Sequence, residues 1–271
     1  MLSNIKNIIA IASGKGGVGK STVTANLATA MAAKGLKVGI LDGDIHGPSQ
    51  ARIFGIPPTT KPTTTQNNFN PIKTAQGIQL MSMAFLVTEK TPMVWRGPMA
   101  AAAFLQLLNQ THWGKLDYLF IDLPPGTGDI QLTLAQKVPL TGALIITTPQ
   151  DIALIDVSRG IEMFQKVHIP LLGIIENMSH HICTHCGTKE ALFGSGGGNQ
   201  LAQTYATPLL AQLPLNISIR QQMDTGHPTP ETATPAQAQA AQHFNTLATD
   251  LHHQLTHTPP TPPGPALSMG E

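Results

Sequence analysis

An apolar run of strand length, residues 6–12, leads directly into Gly14-Lys15-Gly16-Gly17-Val18-Gly19-Lys20-Ser21, and a helix-like segment follows over 20–34. This order constrains the chain more than any other feature. The eight positions match G-x-x-x-x-G-K-[ST] in the strand–loop–helix setting that the motif demands. Its glycines let successive backbone N–H groups converge on phosphate oxygens, and the helix N-terminus adds a favourable dipole. Lys20 is placed to reach β- and γ-phosphates, and Ser21 to hold Mg2+. The alternative is a Gly-rich turn with a chance lysine, and the flanking strand and helix argue against it.

Further apolar runs occur at 37–42, 78–83, 117–122, 142–148, 170–176 and 208–213. Most are continuous rather than alternating, as in Tyr118-Leu119-Phe120-Ile121, which suits strands buried on both faces of a parallel sheet. Helix candidates lie at 97–110, 129–137, 153–167 and 234–256. The rhythm predicts an α/β fold, a doubly wound, mainly parallel sheet flanked by helices, in a single domain over 1–257. With 41% of 271 residues hydrophobic, the chain can fill such a core. Residues 57–76, rich in Pro, Thr, Asn and Gln, read as a long surface loop, and 258–271 as a Pro-rich, disordered tail.

Sixteen Lys and Arg oppose fifteen Asp and Glu, a formal charge of +1. That balance argues against a nucleic-acid partner, which selects for a basic face. No run approaches the ~18 apolar residues of a spanning helix, so no membrane partner is expected. The first residues lack the apolar core and cleavage site of a signal peptide. Together with free thiols, this predicts a cytoplasmic protein.

Two strand ends carry carboxylates. Residues 37–42 end in Asp42, with Asp44 two positions on, in the crevice where such sheets bind ligands. Residues 117–122 end in Asp122, a Walker B pattern whose carboxylate meets Mg2+ directly or through water. Asp129 precedes a helix and reads as a cap outside the site. These parts suit ATP hydrolysis by positioning and charge neutralisation, without covalent chemistry. Lys15, a second lysine inside the loop, makes it a deviant Walker A motif. The motif is similar to that of the P-loop ATPases that dimerise around nucleotide, among them the Mrp, MinD, ParA and nitrogenase iron protein families. The resemblance implies that Lys15 reaches the partner's nucleotide and that Asp44 positions the attacking water. It also implies that Asp42 supports Mg2+ hydration and that Gly126, in the loop after Asp122, senses the γ-phosphate through its backbone.

The chain's two cysteines, Cys183 and Cys186, form a C-x2-C pair within Glu176-Asn177-Met178-Ser179-His180-His181-Ile182-Cys183-Thr184-His185-Cys186-Gly187. Two thiolates are half the ligand set of a zinc site or a cubane cluster. Either His180, His181 or His185 completes a zinc site within one chain, or two chains contribute a pair each. The second option fits an ATPase that already dimerises and is preferred. A redox pair and two unliganded loop cysteines are the other readings; a redox pair normally opens a helix in a thioredoxin-like unit.

The order of these motifs, with Asp42-Gly43-Asp44-Ile45-His46-Gly47-Pro48-Ser49, Trp95-Arg96-Gly97-Pro98-Met99 and Asp122-Leu123-Pro124-Pro125-Gly126-Thr127-Gly128-Asp129, resembles the Mrp/ApbC family of iron–sulfur cluster carrier ATPases. The resemblance covers roughly 5–227. It implies a homodimer holding a [4Fe–4S] cluster on Cys183 and Cys186 of each chain, near 180–187. It implies transfer of that cluster to apo iron–sulfur proteins, exchange with cluster assembly scaffolds, and slow Mg2+-dependent ATP hydrolysis coupled to transfer. The nucleotide-binding set it implies is Gly14, Lys15, Gly16, Gly17, Val18, Gly19, Lys20, Ser21, Thr22, Asp42, Asp122, Gly126 and Asn177, the last against adenine, with catalysis by Lys15, Lys20 and Asp44. No N-terminal extra domain and no second cluster site are expected. The alternatives are a MinD/ParA-like positioning or partitioning ATPase, and a P-loop ATPase with structural zinc at the cysteine pair. Trp95 and Arg96 mark the family without revealing their chemistry.

Overall fold

In the computed structural model, which describes residues 2–45, 47–86, 97–183, 185–228 and 235–257, the first strand is also the central one. β1 (Ile5–Ser13) runs parallel between β7 (Leu116–Asp122) and β8 (Gly142–Thr147). Beyond β7 come β2 (Val38–Asp42), β6 (Gln79–Ser82) and β5 (Ile72–Lys73). Beyond β8 come β9 (Leu171–Glu176) and β12 (Leu209–Gln212). Every pairing in this eight-stranded sheet is parallel except that of the short edge strand β5 with β6. The doubly wound, mainly parallel sheet expected from the apolar runs is therefore the fold. Strand order reverses at β1, so its C-terminal end opens onto the crevice where such sheets bind ligands.

Alternate residues of β1 serve opposite cores, as the two-residue strand period requires. Ile8, Ala10 and Ala12 join one cluster, and Ile9 and Ile11 the other. The first face is covered by α3 (Gly97–Gln110), α4 (Asp129–Lys137), α5 (Asp151–Lys166) and α6 (Gly197–Thr204), through side chains such as Phe104, Leu134, Phe164 and Leu201. The second is covered by α1 (Lys20–Ala33), α7 (Ile217–Asp224) and α8 (Pro235–His257), through Leu27, Met31, Met223, Phe244 and Leu251. Every residue of α1 from Val23 to Met31 is buried, because the helix lies between the sheet and α8. Its polar Thr24 and Thr29 satisfy their hydroxyls on the carbonyls of Lys20 and Ala25.

Residues 57–76 depart from the expected continuous loop. They contain a small hairpin, β3 (Thr64–Thr65) with β4 (Asn68–Phe69), and then β5. Its two-residue strands are exposed or half-buried and carry no core pattern to read. The short helices α2 (Gln50–Ile53), α6 and α7 were also not expected from the sequence. Two more short strands, β10 (His181–Ile182) and β11 (Lys189–Glu190), form a separate hairpin. No helix among the described residues is long and apolar enough to cross a membrane. Trp95, Arg96 and the Pro-rich tail over 258–271 lie outside the described residues.

Candidate nucleotide site and cysteine hairpin

The loop between β1 and α1 wraps a cavity of about 430 Å3 lined by Lys15, Gly16, Gly17, Val18, Gly19, Lys20, Ser21 and Thr22. Asp44, Ser49, Pro125 and Met178 are also in its wall. Two glycines show why the sequence is so restricted here. Gly14 passes so close to α5 that a Cβ would lie 2.3 Å from Val157 N. Gly19 has φ +82° and sits against Asn177, whose Nδ2 would lie 2.2 Å from a Cβ at Gly19. L-residues rarely adopt that backbone, and no side chain fits the gap.

Beneath the cavity lies a buried ionic group. Asp42 and Asp122 are register partners on β2 and β7, and both are fully buried. Lys20 Nζ is 2.5 Å from Asp122 Oδ1, with the lysine itself buried. Gln50 Nε2 donates to the other oxygen, Asp122 Oδ2, at 2.7 Å, and to the Ser21 carbonyl at 3.1 Å. Asp42 Oδ2 accepts from the amides of Ser49 and Gln50 at 3.1 Å each and from Ser82 Oγ at 3.0 Å. Burial, reinforced by the Asp122 charge, pushes the Asp42 carboxyl up to about 7, while the Gln50 and Ser82 hydrogen bonds and the Lys20 charge oppose the rise. Asp42 thus braces the loop that carries Asp44 and does not reach the cavity wall. Asp44 does reach it, half-buried, with Oδ1 accepting from the Gly47 amide at 3.1 Å.

The remaining expected residues are placed as follows. Lys15 lines the cavity, half-buried, without a carboxylate partner among the described residues. The Gly126 amide donates to the Ser13 carbonyl at 2.9 Å, so it must leave that bond to meet a phosphate. Asn177 is buried behind the loop, and its Nδ2 donates to the Val18 carbonyl at 2.9 Å. Sequence reasoning missed Gln50 and Glu176. Glu176 is buried at the end of β9, where its carboxylate accepts from the Gly198 amide at 2.5 Å and from Gln212 Nε2 at 2.7 Å. It thereby fixes the strand end from which Asn177 projects.

Cys183 and Cys186 occupy the turn of the β10–β11 hairpin. The Cys183 amide donates to the Thr188 carbonyl and the Gly187 amide to the Cys183 carbonyl, each at 2.9 Å. Cys183 is half-buried and Cys186 exposed. Cys186 Sγ lies 3.1 Å from Thr188 Oγ1, and hydrogen bonding by Thr188 holds this thiol below its ordinary pKa. Of the three histidines beside the pair, His185 is exposed on the turn, and the other two are engaged elsewhere. His180 is buried with Nδ1 2.8 Å from Ser179 Oγ, and burial, then the Lys189 charge, keeps it below the usual imidazole range. His181 Nδ1 faces the Leu215 carbonyl at 3.4 Å. Among the described residues, no group of three or more His, Cys, Asp or Glu side chains is placed to hold a metal.

A parallel sheet with a glycine loop at its switch point, a loop lysine and a strand-end Asp defines a P-loop NTPase. The family model described as ParA, NUBPL iron-transfer P-loop NTPase, matches residues 4–252. The chain belongs to that family. It is 61% identical over 229 residues to an iron–sulfur cluster carrier protein of Pseudomonas fragi, covering 84% of this chain and 79% of that one. It is 45% identical over 255 residues to an iron–sulfur cluster transfer protein, NUBPL, of Dictyostelium discoideum, covering 94% and 78%. Against the carrier protein of Escherichia coli K12 it is 55% identical over 228 residues and spans only 62% of that protein's length. Among solved structures it is similar to a nucleotide-binding protein from Archaeoglobus fulgidus in complex with ADP, at 39% identity and TM-score 0.74, covering 87% and 92%. The septum site-determining protein MinD of Pyrococcus horikoshii, at 23% identity and TM-score 0.66 with 90% and 95% coverage, shares the fold.

Proposed function

We propose that the protein is an ATP-hydrolysing carrier that receives a [4Fe–4S] cluster, holds it between two copies of the chain, and delivers it to apo iron–sulfur proteins. The observation that carries this reading is the cysteine hairpin. It presents two thiols on one turn, while the nearby histidines His180 and His181 are engaged elsewhere. Two thiols are half a cubane ligand set, so a second chain supplies the rest. Exposed apolar side chains favour the same arrangement. Ile152 and Ile155, on one face of the first turn of α5, are 67% and 57% exposed, and Leu192, just past β11, is 55% exposed. A homodimer would cover them. The names of the relatives from P. fragi and D. discoideum support the same reading.

At the nucleotide, Gly14 through Thr22 and the α1 N-terminus cradle the phosphates, and Lys20 moves from Asp122 onto them. Asn177 stands behind the loop, toward the base. Ser21, on the cavity wall, and Asp122, buried beneath it, are hard oxygen donors, which fits Mg2+. Bound there, Mg2+ neutralises charge developing on the phosphates. Asp44, on the cavity wall, orients the attacking water, Gly126 meets the γ-phosphate, and Lys15 reaches the partner's nucleotide. Domain limits of 1–257 and a cytoplasmic setting belong to the same proposal. The test is anaerobic loading with iron and sulfide, then mixing with an apo [4Fe–4S] dehydratase in the presence of a chelator. Recovery of dehydratase activity supports the reading. Failure of loaded protein to activate the acceptor, with or without MgATP, overturns it.

A further inference from the structure

Gln50 is fully buried, and its side chain joins parts of the site that come from far apart in the sequence. Nε2 donates to Asp122 Oδ2 at the end of β7 and to the Ser21 carbonyl in the first turn of α1. The Gln50 amide donates to Asp42 Oδ2 at the end of β2. The side-chain orientation follows from chemistry. Flipping the amide would set Oε1 against a carboxylate oxygen, so the donor must face Asp122. The other end is unsatisfied, since Oε1 is buried with no hydrogen-bond partner. A buried amide with an orphaned acceptor is a poor choice for packing alone. Its asset is the donor held against Asp122.

Among the described residues, Asp122 has two side-chain partners, Lys20 on Oδ1 and Gln50 on Oδ2. The mechanism removes the first, because Lys20 is the residue that transfers to phosphate. We infer that Gln50 is a positioning residue that holds the Asp122 carboxylate in its Mg2+-facing orientation once Lys20 has left it. Without Gln50, the carboxylate would lose both anchors at the step in which the Mg2+ shell needs it. Through its own amide, Gln50 also fixes the Asp44-bearing loop relative to Asp122.

This inference rests on the nucleotide-site reading, and the assay separates the two. Equilibrium affinity for a fluorescent ADP is measured with Mg2+ and with EDTA, for the wild type, Gln50→Met, which keeps the volume, and Gln50→Asn, which keeps the amide but shortens its reach. The expected result is a roughly tenfold smaller Mg2+ enhancement in both variants, the scale of one hydrogen bond to a charged group, with EDTA affinity nearly unchanged. A merely structural role would lower both affinities together. Parallel loss in both variants, or an undiminished Mg2+ enhancement in either, overturns the inference. Wild-type protein that fails to bind ADP overturns the nucleotide-site reading as well, whereas ADP binding that Mg2+ does not enhance overturns the inference alone.

Discussion

Removing the Lys20 side chain should unfold the protein at neutral pH more than a single surface lysine could. Lys20 is buried and sits 2.5 Å from fully buried Asp122, next to fully buried Asp42 on the adjacent strand. Lys20→Ala leaves two neighbouring carboxylates with no cation. Breaking a buried pair from one side costs about 3–5 kcal/mol. For a domain of this size that corresponds to a fall of roughly 10 °C in Tm. The cost is limited by protonation, which gives the prediction its signature. Losing Lys20 removes a charge that opposes the rise of the folded-state Asp42 pKa, and leaves the unfolded one unchanged. The variant's folded state therefore binds more protons, and its deficit against wild type must shrink as pH falls. Thermal unfolding by circular dichroism without nucleotide, at pH 8.0 and pH 5.5, reads this directly. Adding Asp42→Asn to Lys20→Ala should restore part of the loss, because one of the two carboxylates is gone. A deficit that is absent, or equal at both pH values, would refute the buried charge arrangement.

Three further outcomes follow from the same geometry. Asp42 titrates near 7 in the folded chain against 3.8 as a free carboxyl, so its contribution to stability is present at low pH and lost as pH rises toward 7 and above. The loss is of order 2–4 kcal/mol; Asp42→Asn should flatten it in urea unfolding at pH 5.5 and 8.0, and an unchanged slope would contradict the assignment. Gly14→Ala places a methyl 2.3 Å from Val157 N and 2.4 Å from Asp156 C, forcing the loop and α5 apart. A loss of about 1–3 kcal/mol with weakened ADP binding is expected, and wild-type behaviour in both would show that α5 does not pass so near. Asp44→Ala should bind ATP while turnover falls by about 10²-fold, measured by phosphate release, and undiminished turnover would remove Asp44 from the mechanism.

The large elements were legible because burial on both faces writes itself into sequence. Tyr118-Leu119-Phe120-Ile121 falls within β7, and 97–110 and 129–137 coincide with α3 and α4. The hairpin over Thr64–Phe69 and the helices α6 and α7 were not legible. The hairpin strands bury little, and the helices are eight residues each, too short for a firm period. In the site, the glycine loop and the strand-end Asp residues could be read because each sits in a contiguous motif. Gln50 could not. Its role depends on contact with Asp122, 72 positions away, and a glutamine has no chemical signature of its own. Asn177 was noticed for its motif, yet its bond to Val18 spans 159 positions and emerges only from the fold. The cysteine spacing was plain, whereas the engagement of His180 and His181 by Ser179 and Leu215 required coordinates.

The central claim is that Cys183 and Cys186 supply half of a cluster site that two chains complete. Iron and acid-labile sulfide content of the anaerobically reconstituted protein, measured with its sedimentation mass, tests it most directly. The account predicts about four iron and four sulfide per two chains in a dimeric species, on the four-thiolate count, with Cys183→Ser abolishing both the metal and its absorbance. Stoichiometric zinc in a monomer, or a full cluster retained by Cys183→Ser, would contradict it.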